Sequence, residues 1–571
     1  MASTKEQSAD ATSTLLNVLN RSGGVRGRFI FAVAISTAGS LLASRLSEDD
    51  NTTVLVLEAG QLHDKDPLID KPNKYLGQLF QPSYDWGFKT VSLINLSGSE
   101  TGKGLGGSSN INFMQWTRPT KVDIDAWQRL GNPGWTWDNL LSYFKKSENK
   151  KEHDRLTRVL VYLPSIILYF GGNNFGTVTP IYSIDPKTRT RASSYTSFLR
   201  PHLSRPNLTI LTGATVTRLI TRENAHPKDE SLTAEAVEFI CEGQTHRIDI
   251  SREVILCAGT LKSPQILELS GIGNPEILSK AGIEVKLPLI GVGENLQDHT
   301  FIYGVCFEIK DDVAQKIPYE IKQPDHLAYF HSSSLAWVPF QTFTNKTGEE
   351  TISQLLPQLT PESKKSSAQK TNITTDDTLK CSIKEQYIVL SDILSNPNLP
   401  DCEFLTSCRF GGFPNGPKPG KSYLTFSVGG MYPWSRGSVH TKSKDPLEHL
   451  EIDPNYLEKD IDLELLLQGV KFLRNFQNNP IFKDIINEEI NPGPTVNTDE
   501  DLRDATGTLS MLPREKGGVV DPALKVWGTN NVRVVDLSIV PLTVSVHTQS
   551  TAYVIAEVAA DIIRGKISRW Y

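Results

Sequence analysis

Residues 28–60, RFIFAVAISTAGSLLASRLSEDDNTTVLVLEAG, decide the fold. Phe29 to Ile35 is rich in β-branched and aromatic residues. Ser36 to Arg45 is built of small and helix-forming residues, and Val54 to Leu57 is an apolar run closed by Glu58. Strand, turn, helix and strand in that order predict a βαβ unit with an acid ending its second strand. A dinucleotide site places G-x-G-x-x-G at such a turn, so that backbone can approach a diphosphate at a helix N-terminus, with an acid about twenty residues on for the ribose. Gly39 and Glu58 occupy the last glycine and acid positions, but Ala34 and Ser36 stand where the first two glycines belong. The fingerprint is incomplete, and a purely structural βαβ unit reads equally well.

Working outward, residues 135–149 carry helical spacing, and strands are expected at Leu208–Ile210, Ala236–Phe239 and Val254–Leu256. Gly104-Leu105-Gly106-Gly107-Ser108-Ser109-Asn110-Ile111-Asn112 offers successive backbone N–H groups, as an anion nest or a loop lying on a cofactor would. In Gly259 to Gly273, Ser263-Pro264 is expected to open a helix that Gly271 closes. Residues 460–479 read as an amphipathic helix. Between 301 and 440 strand-like pieces alternate with a polar stretch, Thr360 to Asp377, which suggests a substrate-facing region with a surface loop. Near the end, a strand at Val532–Val535 precedes Asp536. His547-Thr548-Gln549 then leads into an apolar helix. A histidine at a strand-to-helix junction sits where open α/β sheets present chemistry, and it is the natural proton acceptor near neutral pH.

Composition restricts the function. The 571 residues allow two domains or a large one with an insertion. A net charge of −6 gives no support for nucleic-acid binding. The six cysteines show no metal-like spacing. The polar N-terminus, with Glu6 and Asp10, lacks the basic-then-apolar order of a signal peptide, which favours a cytoplasmic chain. The sequons at Asn20, Asn51, Asn95, Asn207, Asn345 and Asn372 would matter only in a secreted one. No run of eighteen apolar residues predicts a membrane span. Arg158 to Gly171 is apolar but short and interrupted by Pro164.

Taken in order, STAGSLLASRLSEDDNTTVLVLEAG, GKGLGGSSNINF, NLTILTGATVTRL, GTLKSPQILELSGIG, GVGENLQDH and the closing GGVVDPALKVWGTNNVRVVDLSIVP with HTQSTAYVIAEVAADII resemble the glucose-methanol-choline (GMC) family of FAD-dependent alcohol oxidoreductases. The HTQ ending looks most like its aryl-alcohol oxidase and fungal dehydrogenase branches. The resemblance implies an α/β fold with an antiparallel sheet. A Rossmann-like FAD-binding domain (25–300) would be completed by 451–571, and a substrate-binding domain (301–450) inserted between them. It implies FAD as cofactor and a small-molecule alcohol, primary or aromatic, as substrate, in an aryl-alcohol or secondary-metabolite pathway. Thr37, Ala38 and Gly39 would face the FAD diphosphate, with Asp536 beside it. Glu58 and Ala59 would lie at the adenosine ribose and Val216 at the adenine. Ser109 and Asn112 would sit near the flavin, Thr548 and Gln549 by its pyrimidine edge, and His547 at an active-site position. Alcohol oxidation asks for such a base, which takes the hydroxyl proton while hydride leaves the carbon.

Three blocks depart from the family pattern. Ala34 and Ser36 replace glycines, and Ser36 is expected to crowd the diphosphate. Asp501 to Met511 carries no histidine where the family has its principal catalytic one, and Asp504 is not assigned that role. The apolar Arg158–Gly171 stretch replaces a polar loop. Such blocks fit misplaced exon boundaries in the sequence, or a relative that keeps the scaffold without turnover.

Overall fold

The computed structural model describes residues 29–34, 36–90, 101–148, 172, 175–178, 181–223, 231–316, 334–359, 377–412, 415–493 and 518–567. The Arg158–Gly171 stretch, the Asp501–Met511 block and most of the Thr360–Asp377 loop lie outside these residues. Among the described residues no helix is long and apolar enough to cross a membrane.

The βαβ unit forms as its sequence predicts: β1 (Phe29–Ala34), α1 (Thr37–Leu46) and β2 (Val54–Glu58). β1 pairs in parallel with β2, with Ala34 opposite Leu57. A helix between two parallel strands is the right-handed crossover that short connections favour. The sheet continues with β3 (Leu208–Thr212), β4 (Thr215–Glu223), β5 (Leu232–Cys241) and β6 (Gln244–Leu256), in the order β3-β2-β1-β6-β5-β4. The long β6 serves two roles. Its first half pairs antiparallel with β5, and its second half runs parallel to β1. That second half also pairs with β7 (Val532–Val534), more than 270 residues later, as Val254 opposite Val532. The C-terminal segment therefore completes the first sheet.

α2 (Gly259–Leu269) starts four residues before the expected Ser263, with Pro264 inside it. The sequence signal misled because Ser263 caps from within. Its Oγ accepts from Ala258 N at 3.1 Å and donates to Asp536 at 2.6 Å, and Asp536 also accepts from Gly259 N. These side chains satisfy N–H groups that every helix start leaves open. α3 (Gln549–Ile563) is buried on nearly all sides and packs against α1, with Arg45 Nη2 and Glu557 Oε1 2.7 Å apart. Each fully buried Val or Ile on such a helix contributes about 1.5–3 kcal/mol.

A second, antiparallel sheet has strands in the order Ile486–Asn491, Thr300–Ile309, Tyr423–Gly430, Cys402–Ser407, Ser334–Val338 and Gly176–Val178. Its two edge strands come from outside 301–450. The amphipathic helix runs from Asp460 to Arg474 and tightens to a 3-10 turn before Pro480. It lies close on this sheet because Gly469 has no side chain: a Cβ there would sit 2.6 Å from a Val428 methyl.

Candidate active site

A cavity of about 360 Å³ lies at the carboxyl ends of the parallel strands. Ser36, Thr37 and Ala38 after β1, Glu58 and Ala59 at the end of β2, Ala258–Thr260 after β6 and Asp536 after β7 all line it. Open α/β sheets bind ligands in this position. The glycine-rich loop straps across the N-terminus of α1. Thr37 Oγ1 donates to Gly106 O at 3.2 Å and accepts from Ser109 N at 3.2 Å. Gly107, at φ +55°, comes so close that a Cβ would stand 2.7 Å from Thr37 N. Glycine is required here for both conformation and space. Ser36, by contrast, has φ −146°, which needs no glycine. Replacing the fingerprint glycine costs cavity space, since Ser36 lines the wall, and not backbone strain.

The wall is rich in enclosed ionisable groups. Glu58 is buried, its Oε1 accepts from Gly60 N at 2.6 Å, and desolvation raises its carboxyl to about 7. Asp536 is raised by burial, and its oxygens are taken up by Gly259 N, Ser263 Oγ and Ser538 N. Asp298 lines the cavity and is exposed to it, and desolvation raises its carboxyl to about 7. Lys262, on α2, is lowered to about 8 by burial.

Beyond Thr548, which lines the cavity, the loop before α3 brings His547 against the second sheet. Its Nε2 lies 3.2 Å from Glu403 Oε1, and Glu403, on the strand Cys402–Ser407, is 1% exposed. His299 stands close by. Burial lowers it to about 4, so it is neutral, and its Nε2–H donates to Val544 O at 2.6 Å. Asn112 Nδ2 donates to Gln549 Oε1 at 2.9 Å, and the buried Arg191 donates to Asn112 Oδ1 at 2.9 Å.

Of the residues singled out from sequence, Thr37, Ala38, Glu58, Ala59, Val216, Asp536 and Thr548 share the cavity wall. Gly39 lies inside α1, and Ser109 is buried against Gly106 O and Ser194. Asn112, Gln549 and His547 form the corner next to the wall. Sequence reasoning missed Glu403, Asp298, Lys262 and Trp86. Glu403 did leave a signal, as an acid among the apolar residues of a strand.

GMC oxidoreductase family models match residues 93–164 and 171–301 with their N-terminal part and 433–556 with their C-terminal part. The chain is 32% identical to GMC oxidoreductase family protein Mala s 12 of Malassezia sympodialis, covering 93% of this chain and 91% of the relative. An FAD-dependent oxidoreductase from Chaetomium thermophilum superposes with a TM-score of 0.77 at 26% identity, over 94% of this chain and 99% of that one. A fungal aryl-alcohol oxidase superposes with 0.74 at 25% identity, over 94% and 99%. The chain belongs to the GMC oxidoreductase family, and its cofactor is FAD.

The described residues fit that cofactor. The N-terminus of α1 faces the cavity at Thr37 and Ala38, where a diphosphate can meet its N–H groups. Glu58 ends β2, where dinucleotide folds carry an acid for a ribose, and the cavity reaches from Glu58 and Val216 to Thr548.

Proposed function

We propose that this chain oxidises a primary or aromatic alcohol to the aldehyde, within aryl-alcohol or secondary metabolism. FAD supplies the hydride acceptor when bound. The observation that carries the reading is the His547–Glu403 contact beside the cavity. With Nε2–H donating to the carboxylate, Nδ1 is left as the acceptor for the substrate hydroxyl proton. Glu403 fixes the tautomer and balances the imidazolium that forms, while neutral His299 adds no competing charge to the corner. Around the diphosphate, Thr37, Ala38 and Gly39 at the start of α1 would provide the helix N-terminus, with Asp536 beside it. Glu58 and Ala59 would hold the ribose and Val216 the adenine. Ser109 and Asn112 would support the flavin, and Thr548 and Gln549 would hold its pyrimidine edge. Similarity to an aryl-alcohol oxidase supports an aromatic substrate.

A second reading, a scaffold without turnover, is favoured by the absence of histidine from Asp501 to Met511. The visible spectrum of purified protein under anaerobic benzyl-type alcohol separates the two. Bleaching of the flavin band supports oxidation, and a flavin band that no alcohol bleaches supports the scaffold.

A further inference from the structure

Trp86 and Lys262 belong to segments with no sequence link, yet they meet at the cavity. Residues 84–88 and 101–104 form a clip. Asp85 bridges Gly102, Trp86 N donates to Thr101 O at 3.0 Å, and Lys103 N donates to Tyr84 O at 2.7 Å. The buried Asp85 carboxylate locks the clip by accepting from Phe80 N, Gly87 N and Thr101 N. Trp86 stacks on Phe88 at 5.7 Å and packs on the apolar cluster of Leu261, Leu296 and Ile452. Trp86, Thr101 and Gly102 all line the cavity, so the clip forms part of its wall.

Two ammonium groups approach the Trp86 ring. Lys103 Nζ, from the clip, is 4.8 Å from its centroid, and Lys262 Nζ, from α2, is 5.0 Å away. Lys262 is 8% exposed, and its polar partner is the neutral Gln265. It is also the one basic side chain in the described cavity wall, where Glu58, Asp298 and Asp536 supply three carboxyl groups. A buried ammonium without a counter-charge is costly, and a second cation beside it raises that cost. Both effects disfavour the charged form of Lys262, first through burial and then through Lys103. Aromatic contacts return only part of this.

We propose that Lys262, supported by Lys103 across Trp86, is an anion subsite for the diphosphate of FAD. This rests on the FAD-binding reading of the cavity. The diphosphate, seated at the start of α1, provides the ion-pair partner that Lys262 does not have among the described carboxylates, with Trp86 of the clip beside it. The lysine pair compensates for the damaged glycine turn, where Ser36 occupies space that backbone N–H groups would otherwise leave to the phosphates.

The test is the rate of FAD release from holoenzyme, read as the rise in flavin fluorescence on dilution over a potassium chloride series. Wild type should release FAD faster as salt rises, because the contact is screened. Lys262→Gln, which keeps a polar group near Gln265, should release FAD about tenfold to a hundredfold faster at low salt and lose most of the salt dependence. Lys262→Arg should restore slow release, and Lys103→Met should fall between. Unfolding followed by circular dichroism separates lost folding from lost binding. If Lys262→Gln does not fold, Lys103→Met decides: wild-type release and salt slope in it overturn the proposal. A flavin band with identical release and salt slope in wild type and Lys262→Gln also overturns it. A purified wild type with no flavin band overturns the FAD reading itself.

Discussion

His547, in the loop before α3, and Glu403, on the second sheet, lie 144 residues apart, yet they meet at 3.2 Å. If His547 is the base, His547→Ala should keep its flavin band while alcohol-driven flavin reduction slows about 100- to 10,000-fold, the usual worth of a positioned base. Glu403→Gln keeps the imidazole but loosens its aim, so a loss on the order of tenfold to a hundredfold is expected. Stopped-flow reduction measures both, and wild-type rates in either variant would contradict the assignment. Glu58 provides a separate pH signal. Burial raises its carboxyl from 4.5 to about 7. Between those values the folded state holds a proton that the unfolded chain has released, so stability falls as pH rises through this window. Thermal unfolding of cofactor-free protein should show that decline, and Glu58→Gln should make it shallower. Asp298 contributes in the same direction and leaves a residual slope.

At the scale of elements, His440 ties three pieces of chain together. Its Nδ1 is 2.7 Å from Glu268 of α2, and its Nε2 is 3.4 Å from Glu294 of the strand Glu294–Leu296. Burial alone would lower His440, but the two carboxylates hold it at about 10. A raised histidine stabilises fully below its unfolded value of 6.5 and loses that contribution as pH rises through about 10. His440→Leu leaves Glu268 buried without its cation, which should cost about 3–5 kcal/mol in urea unfolding at neutral pH. The difference from wild type should shrink as pH passes 10. An equal deficit at both ends of the range would contradict an ion-pair role. What the sequence revealed follows the same division. The βαβ unit, the helix from Asp460 and α3 were legible because their periodicity is local. The start of α2 was not, because Asp536, from the far end of the chain, caps it. Nor were the clip and the partners of His547 and Lys262, which are contacts between distant segments and leave no pattern within any one of them.

For the whole molecule, the cavity lies where both arms of the chain converge. β1, β2 and β6 come from the first half, β7 and α3 from the last forty residues, and the second sheet delivers Glu403. A ligand that binds only this assembled state stabilises the fold, by about 2.7 kcal/mol at a hundred times its dissociation constant. Stripping FAD should therefore lower the unfolding temperature by several degrees, and adding FAD should restore it. Alcohol oxidation by this assembly through His547 can be followed by anaerobic titration of the purified holoenzyme with an aromatic alcohol. The visible flavin band should bleach in wild type, with aldehyde formed in equal amount to reduced flavin, and bleach far more slowly in His547→Ala. A flavin-loaded wild type that no alcohol reduces, or one reduced equally fast without His547, would contradict it.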